Sequence, residues 1–196
     1  MNFDYSEEQQ LLADSIRRFV AKDYDFEARK KIVASRQGAS DEVWETFAEM
    51  GLLGIPFPPE HGGFGGGATD LMSAMEAIGE GLVVEPFLAT VGLAAQLVAR
   101  GGSEAQKKAI LPAVVEGRLK MAFAHTEGGA RYDLAHVGST AKKAGSIWLL
   151  DGEKRVVLGA PHADKLIVSA RTSGKAGDAS GISLFLVDCA AAGVGS

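Results

Sequence analysis

Apolar residues recur at helical spacing through the first part of the chain and change to alternation just after Arg118, so the pattern itself divides the sequence. Leu12, Ile16, Phe19 and Val20 form one helical stripe. Ser6-Glu7-Glu8 opens it, because the hydroxyl can cap free amides while the carboxylates face the positive end of the helix dipole. Residues 26–33 predict a second, shorter helix. Ser40-Asp41 starts a third, with Val43, Trp44, Phe47 and Met50 on its buried face and Gly51 placed to end it in the left-handed conformation. Thr69-Asp70 is expected to cap a helix carrying Leu71, Met75 and Ile78. Glu85-Pro86 begins the next, apolar nearly all round through Leu88, Val91, Leu93, Leu97 and Val98, which places it centrally. Gly101-Gly102 stops it, and Ser103-Glu104 starts a last helix with Ile110, Leu111, Val114 and Val115, ending at Gly117. Pro112 within it is expected to bend or split that helix. The prediction is about six helices on short connections, an N-terminal helical domain over residues 1–118.

Residues 54–67 carry three prolines and a run of glycines, which excludes helix or ladder and leaves an irregular loop. No strand precedes it and no lysine opens the following helix, so it is not a phosphate-binding P-loop. His61 reads as a turn or surface residue, with no second histidine or cysteine at metal spacing.

After Arg118 the alternation puts Met121, Phe123 and His125 on one face of a strand and Ala122, Ala124 and Thr126 on the other. Residues 139–142 and 147–150 pair around Gly145. Asp151-Gly152 is a hairpin signal leading into a strand over 153–158, and further strands are expected over 165–170 and 182–187. Residues 173–181 read as a flexible glycine-rich loop. Several antiparallel strands at this spacing predict a β-barrel or sandwich over residues 119–196, and α+β as the class. The chemistry is expected where the strand carrying Phe123 and His125 ends and the loop after Thr126 begins, since strand ends leave backbone amides free to meet a ligand.

At 46% hydrophobic and 23% charged the composition is that of a globular protein, and the formal net charge of −5 gives no support to a nucleic-acid or anionic-membrane partner. The single cysteine, Cys189, cannot form an internal disulfide and reads as small packing, which suits a reducing cytoplasm. No secretory signal and no apolar run of about 20 residues is present.

Leu52-Leu53-Gly54-Ile55-Pro56 with Pro59-Glu60-His61-Gly62-Gly63, then Gly102-Ser103-Glu104-Ala105-Gln106-Lys107 leading to Leu111-Pro112, then Ala124-His125-Thr126-Glu127 form one series of motifs. Gly152-Glu153-Lys154 and His162-Ala163-Asp164 continue it. Through these motifs the whole chain resembles the acyl-CoA dehydrogenase family, and within it the small subunits of pimeloyl-CoA-type dehydrogenases. The resemblance implies an N-terminal helical domain, a middle β-domain and a C-terminal four-helix domain. The last of these, and part of the second, have no counterpart in these residues, so the sequence reads as a fragment.

The resemblance further implies FAD as cofactor, an acyl-CoA substrate oxidised to the trans-2-enoyl thioester, an electron-transfer flavoprotein or similar acceptor, and a homo- or hetero-oligomer. It places the catalytic glutamate in the C-terminal domain, so no catalytic residue is assigned here, and no metal. Phe123, His125 and Thr126 match positions whose backbone and hydroxyl groups meet the isoalloxazine ring. Val156, Val157 and Leu158 stand where the family has Trp-Ile-Thr at its second flavin contact; the hydroxyl and the indole are both gone. Ala130, Arg131 and Tyr132 fall in the family's Ala-Gly-Ser-Asp segment beside the flavin pyrophosphate and CoA, with two large residues replacing small ones. These departures keep two other readings open: a non-catalytic subunit completing a shared FAD and acyl-CoA site, and a flavin monooxygenase or oxidase on the same scaffold.

Overall fold

The computed structural model describes residues 4–195, and the chain folds as two compact units, one ending at Leu119 and the other beginning at Lys120. In the first, α1 (Glu7–Asp23) starts as expected: the Ser6 hydroxyl accepts from the Gln9 amide, and the Gln9 side chain returns a hydrogen-bond acceptor to the Ser6 amide. Asp25 caps α2 (Phe26–Ala34) and Ser40 caps α3 (Asp41–Glu49), after which Gly51 takes φ +76°. The fourth helix, α4 (Ala68–Glu80), begins one residue before the expected Thr69-Asp70 cap; Asp70 lies inside its first turn and its carboxylate accepts the Gly67 amide at 2.7 Å.

The apolar helix after Pro86 is wound in two ways, π-helical over Leu88–Ala94 and then α5 (Ala95–Gly101). The closing helix, α6 (Glu104–Val115), runs through Pro112 as one element. Proline there forfeits a single intrahelical bond, and the expected split does not occur.

The aromatic residues of the stripes meet in the core. Phe47 packs edge-on against Phe19 at 5.8 Å and Phe87 at 6.5 Å between ring centroids. The Trp44 indole donates to the Gly117 carbonyl at 3.0 Å. Gly117 itself sits at φ +74°, closing the helical segment. His61, expected at the surface, is instead buried in the irregular loop; short 3-10 turns over Leu52–Gly54 and Pro59–His61 fold that loop inward. The Tyr24 hydroxyl accepts the Val84 amide at 3.1 Å, and burial, aided by the nearby Glu85 carboxylate, pushes its phenol up to about 12. Tyr24→Phe therefore leaves a buried N–H unpaired; the expected loss is about 1–3 kcal/mol in urea unfolding. No described helix is long and apolar enough to cross a membrane.

In the second unit β1 (Met121–Ala124), β2 (Thr140–Ala144), β3 (Ile147–Asp151), β4 (Lys165–Arg171) and β5 (Ile182–Asp188) make one five-stranded sheet. β4 is its hub. It runs antiparallel to β5 along its whole length, and parallel to β1 with Met121 opposite Lys165. One pairing, Thr140 with Arg171, joins β2 to the same edge of β4, and β2 turns back into β3 around Gly145 at φ +63°. Helices followed by strands is the order expected, but the sheet is mixed where uniformly antiparallel pairing was predicted. The connection from β1 to β4 is long enough for a parallel crossover.

Asp151-Gly152 is not a hairpin. β3 ends at Asp151, and residues 152–158 run as irregular backbone into a 3-10 turn over Ala160–His162. A Cβ on Gly152 would lie 2.7 Å from the Ser139 Cα, so this glycine serves a close backbone approach, and the strand expected over 153–158 does not form. β3 is exposed along both faces, with Ile147, Trp148, Leu149 and Leu150 all apolar; Trp148 leans on Phe185 of β5 at 5.4 Å.

Candidate functional site

The end of β1 and the segment after β3 are brought side by side. The Arg155 amide donates to the Thr126 carbonyl at 2.8 Å, so residues 123–126 and 155–158 form adjacent stretches of one surface. On the first stretch the Phe123 and His125 rings lie 4.6 Å apart with planes tilted 30°, and both are half-buried. Phe123 shares a strand face with the fully buried Met121 but is itself only half-buried. The Thr126 hydroxyl lies 3.4 Å from His125 Nδ1.

On the second stretch Val156 adopts φ +53° and is 83% exposed. A β-branched residue in the left-handed region is strained by about 1–2 kcal/mol, and such outliers gather where a backbone must present itself to a ligand. Leu158 is also exposed, while Val157 is half-buried and its carbonyl accepts the Ala160 amide at 3.2 Å. Below these residues lies a cleft of about 540 Å³ whose lining includes Ala124, Lys154, Val157, Ala160, Leu166 and Val187.

The loop after β1 behaves differently. Ala130 is buried and its amide donates to the Glu127 carbonyl at 3.2 Å, but Arg131 takes φ +49° and Tyr132 is 100% exposed. Asp133 closes a turn by accepting the Ala135 amide at 2.9 Å. The three residues Ala130, Arg131 and Tyr132 thus stand on the loop after β1, with the first buried and two large side chains in solvent.

Three residues that sequence reasoning passed over hold this surface together. Glu127 and Lys154 form an ion pair at 2.6 Å, with the side chains only 10% and 8% exposed. The same carboxylate accepts the Gly138 amide at 2.7 Å and the Ser139 amide at 3.0 Å, and Lys154 also donates to the Ser169 hydroxyl at 3.0 Å. Burial acts to raise the Glu127 pKa, but the hydrogen bonds from Lys154, Ser139 and Gly138 outweigh it and hold the group at about 2. Arg171, buried at the end of β4, donates to the carbonyls of Val137, Ala135, Asp178 and Ser180 at 2.8–3.0 Å. It thereby ties the glycine-rich stretch after β4 to the loop before β2. The available signal for all three was a charged residue beside a strand end, which is no more specific than a solvated face.

The division into a helical unit and a mixed-sheet unit corresponds to two domains of a known family. Family models agree in both parts: the acyl-CoA dehydrogenase N-terminal domain matches residues 6–118 and the middle domain residues 122–196. The chain belongs to the acyl-CoA dehydrogenase family, whose members are FAD-dependent. It is 31% identical over 175 residues to acyl-CoA dehydrogenase FadE12 of Mycobacterium tuberculosis, covering 87% of this chain and 44% of that protein. It is 35% identical over 192 residues to the mitochondrial long-chain specific acyl-CoA dehydrogenase of Sus scrofa, covering 94% and 43%. The chain therefore spans less than half the length of these curated relatives. Among solved structures it is similar to the FAD complex of PigA, with TM-score 0.86 and 28% identity over 98% of this chain and 51% of that one. It is equally similar to the ChsE4-ChsE5 complex of Mycobacterium tuberculosis, with TM-score 0.86 and 26% identity over 98% and 50%.

Proposed function

We propose that this chain provides one wall of the FAD site of an enzyme that oxidises an acyl-CoA thioester to its trans-2-enoyl product. The observation that carries the reading is the Arg155-to-Thr126 hydrogen bond, because it sets Phe123, His125 and Thr126 beside Val156, Val157 and Leu158, the two stretches that resemble the family's flavin contacts. The residues present suit the group. A half-exposed aromatic pair and an exposed Val156 backbone offer a flat, partly apolar surface with polar main-chain atoms at its edge. FAD, when bound, supplies the two-electron acceptor. Phe123, His125 and Thr126 would hold one side of the flavin, with the Thr126 hydroxyl available as a donor, and the backbone and side chains of Val156, Val157 and Leu158 would shield it from water. The loop of Ala130, Arg131 and Tyr132 would lie toward the pyrophosphate and CoA, where the exposed Arg131 would offer a charge-assisted hydrogen bond.

Leu158 has no hydrogen-bond donor on its side chain, and a neutral hydrogen bond contributes about 1 kcal/mol net. Leu158→Thr is therefore expected to tighten FAD binding about fivefold, read from quenching of flavin fluorescence on titrating FAD with the protein. Equal quenching by the wild-type, variant and heat-unfolded chains would remove this proposal.

A second reading is favoured by Leu158, Arg131 and Tyr132 replacing a hydroxyl and two small residues, and by the likeness to the two-subunit ChsE4-ChsE5 complex. Here the chain completes an FAD and acyl-CoA site shared with a second subunit. Anaerobic addition of a panel of acyl-CoAs to the FAD-loaded protein separates the two. Flavin bleaching by the protein alone supports the first, and bleaching only with a partner subunit supports the second.

A further inference from the structure

We infer that Glu127 and Lys154 are positioning residues for the flavin wall: their buried ion pair sets the register between the β1 end and the Val156 segment. This rests on the reading given under Proposed function, which it deepens. Glu127 directly follows Thr126, and Lys154 directly precedes Arg155, the residue whose amide meets the Thr126 carbonyl. The charged pair at 2.6 Å and the amide bond at 2.8 Å are thus successive rungs between the same two stretches. The carboxylate reaches a third stretch through the Gly138 and Ser139 amides, and the ammonium reaches the sheet's central strand through Ser169. Two backbone amides and one hydroxyl, on two further segments, surround a pair whose side chains are at least nine-tenths buried, so each charge is matched where it lies.

A pair kept only for stability has no reason to sit next to the one hydrogen bond that aligns the two stretches. A hydrophobic pair of similar volume fills such a space as well, but it fixes no direction. An ion pair held by two backbone amides does. The strained Val156 lies two residues beyond Lys154, and its left-handed backbone persists only while both flanks are fixed. Lys154 fixes one flank and the turn at Gly159, with φ +74°, fixes the other.

The test replaces the charges together, with Glu127→Gln/Lys154→Met, and follows backbone amide exchange by NMR alongside FAD titration. The expected result is a folded protein in which β4 and β5 amides keep their protection while the Arg155 amide exchanges at least tenfold faster. FAD affinity should fall by about tenfold, corresponding to about 1.4 kcal/mol. Should the double variant fail to fold, Glu127→Asp keeps the charge but shortens the reach, and the same selective loss at Arg155 is expected. Unchanged protection at Arg155, or a loss spread evenly over β4 and β5, overturns the inference. If the wild-type chain binds no FAD, the flavin reading fails, while the exchange at Arg155 still decides the positioning role.

Discussion

Lys154→Met alone is expected to destabilise the strand-bearing unit by about 3–5 kcal/mol, because it leaves the buried Glu127 carboxylate without its cation. The double replacement with Glu127→Gln should recover part of that loss, since no unpaired charge is left buried and the single amide oxygen still accepts from one of the Gly138 and Ser139 amides. Urea unfolding of the three variants checks both statements, and a single-variant loss under 1 kcal/mol would show that the pair is not buried in solution. The pH dependence has a definite sign. Glu127 is held at about 2 against an ordinary value of 4.5, so the folded state favours the charged form. Its contribution, roughly 3 kcal/mol from the size of the shift, is fully present above pH 4.5 and disappears as the pH falls through 2. In Lys154→Met the largest source of that depression is gone, so the pH-dependent contribution should shrink and its loss on acidification should be complete at a higher pH.

Gly63→Ala is the second large effect expected, this time in the helical unit. A Cβ at Gly63 would lie 2.7 Å from the Gly54 carbonyl oxygen and would overlap the Phe57 carbonyl. Both obstacles are backbone, so no side chain can swing away. The loss should be about 3 kcal/mol or more, at the upper end for overpacked sites. Gly65 is the control: it has φ +68° but only the Pro59 Cδ near its missing side chain, at 3.8 Å, so Gly65→Ala should cost about 1 kcal/mol. Thermal melts followed at 222 nm distinguish the two, and equal melting temperatures would mean the loop has a looser backbone than described.

The helical unit was legible because its signals are local. Ser6, Ser40 and Ser103 cap within three residues of themselves, and the stripe of Val43, Trp44 and Phe47 buries where periodicity puts it. The strand unit was legible in order but not in pairing. Whether residues 121–124 lie parallel or antiparallel to residues 165–168 depends on a crossover of some forty residues, and alternation carries no such information. Asp151-Gly152 misled for a related reason. The dipeptide suits a hairpin, but here the missing Cβ of Gly152 is used against Ser139, a contact thirteen residues back that no local rule can see. The candidate site was legible only by resemblance, and Glu127 and Lys154 entered it only as members of motifs, with no role assigned. Glu127, Lys154 and Arg171 are ordinary polar residues in the sequence, and only the fold removes them from water.

The apolar run from Ile147 to Leu150 has a practical consequence. It lies on a strand paired along one side only, with hydrophobic side chains pointing both ways and no proline or lysine among them to discourage docking by another molecule. Protein handled at high concentration should become turbid through this segment first. A lysine at Leu149 is the smallest change that would keep such a preparation clear.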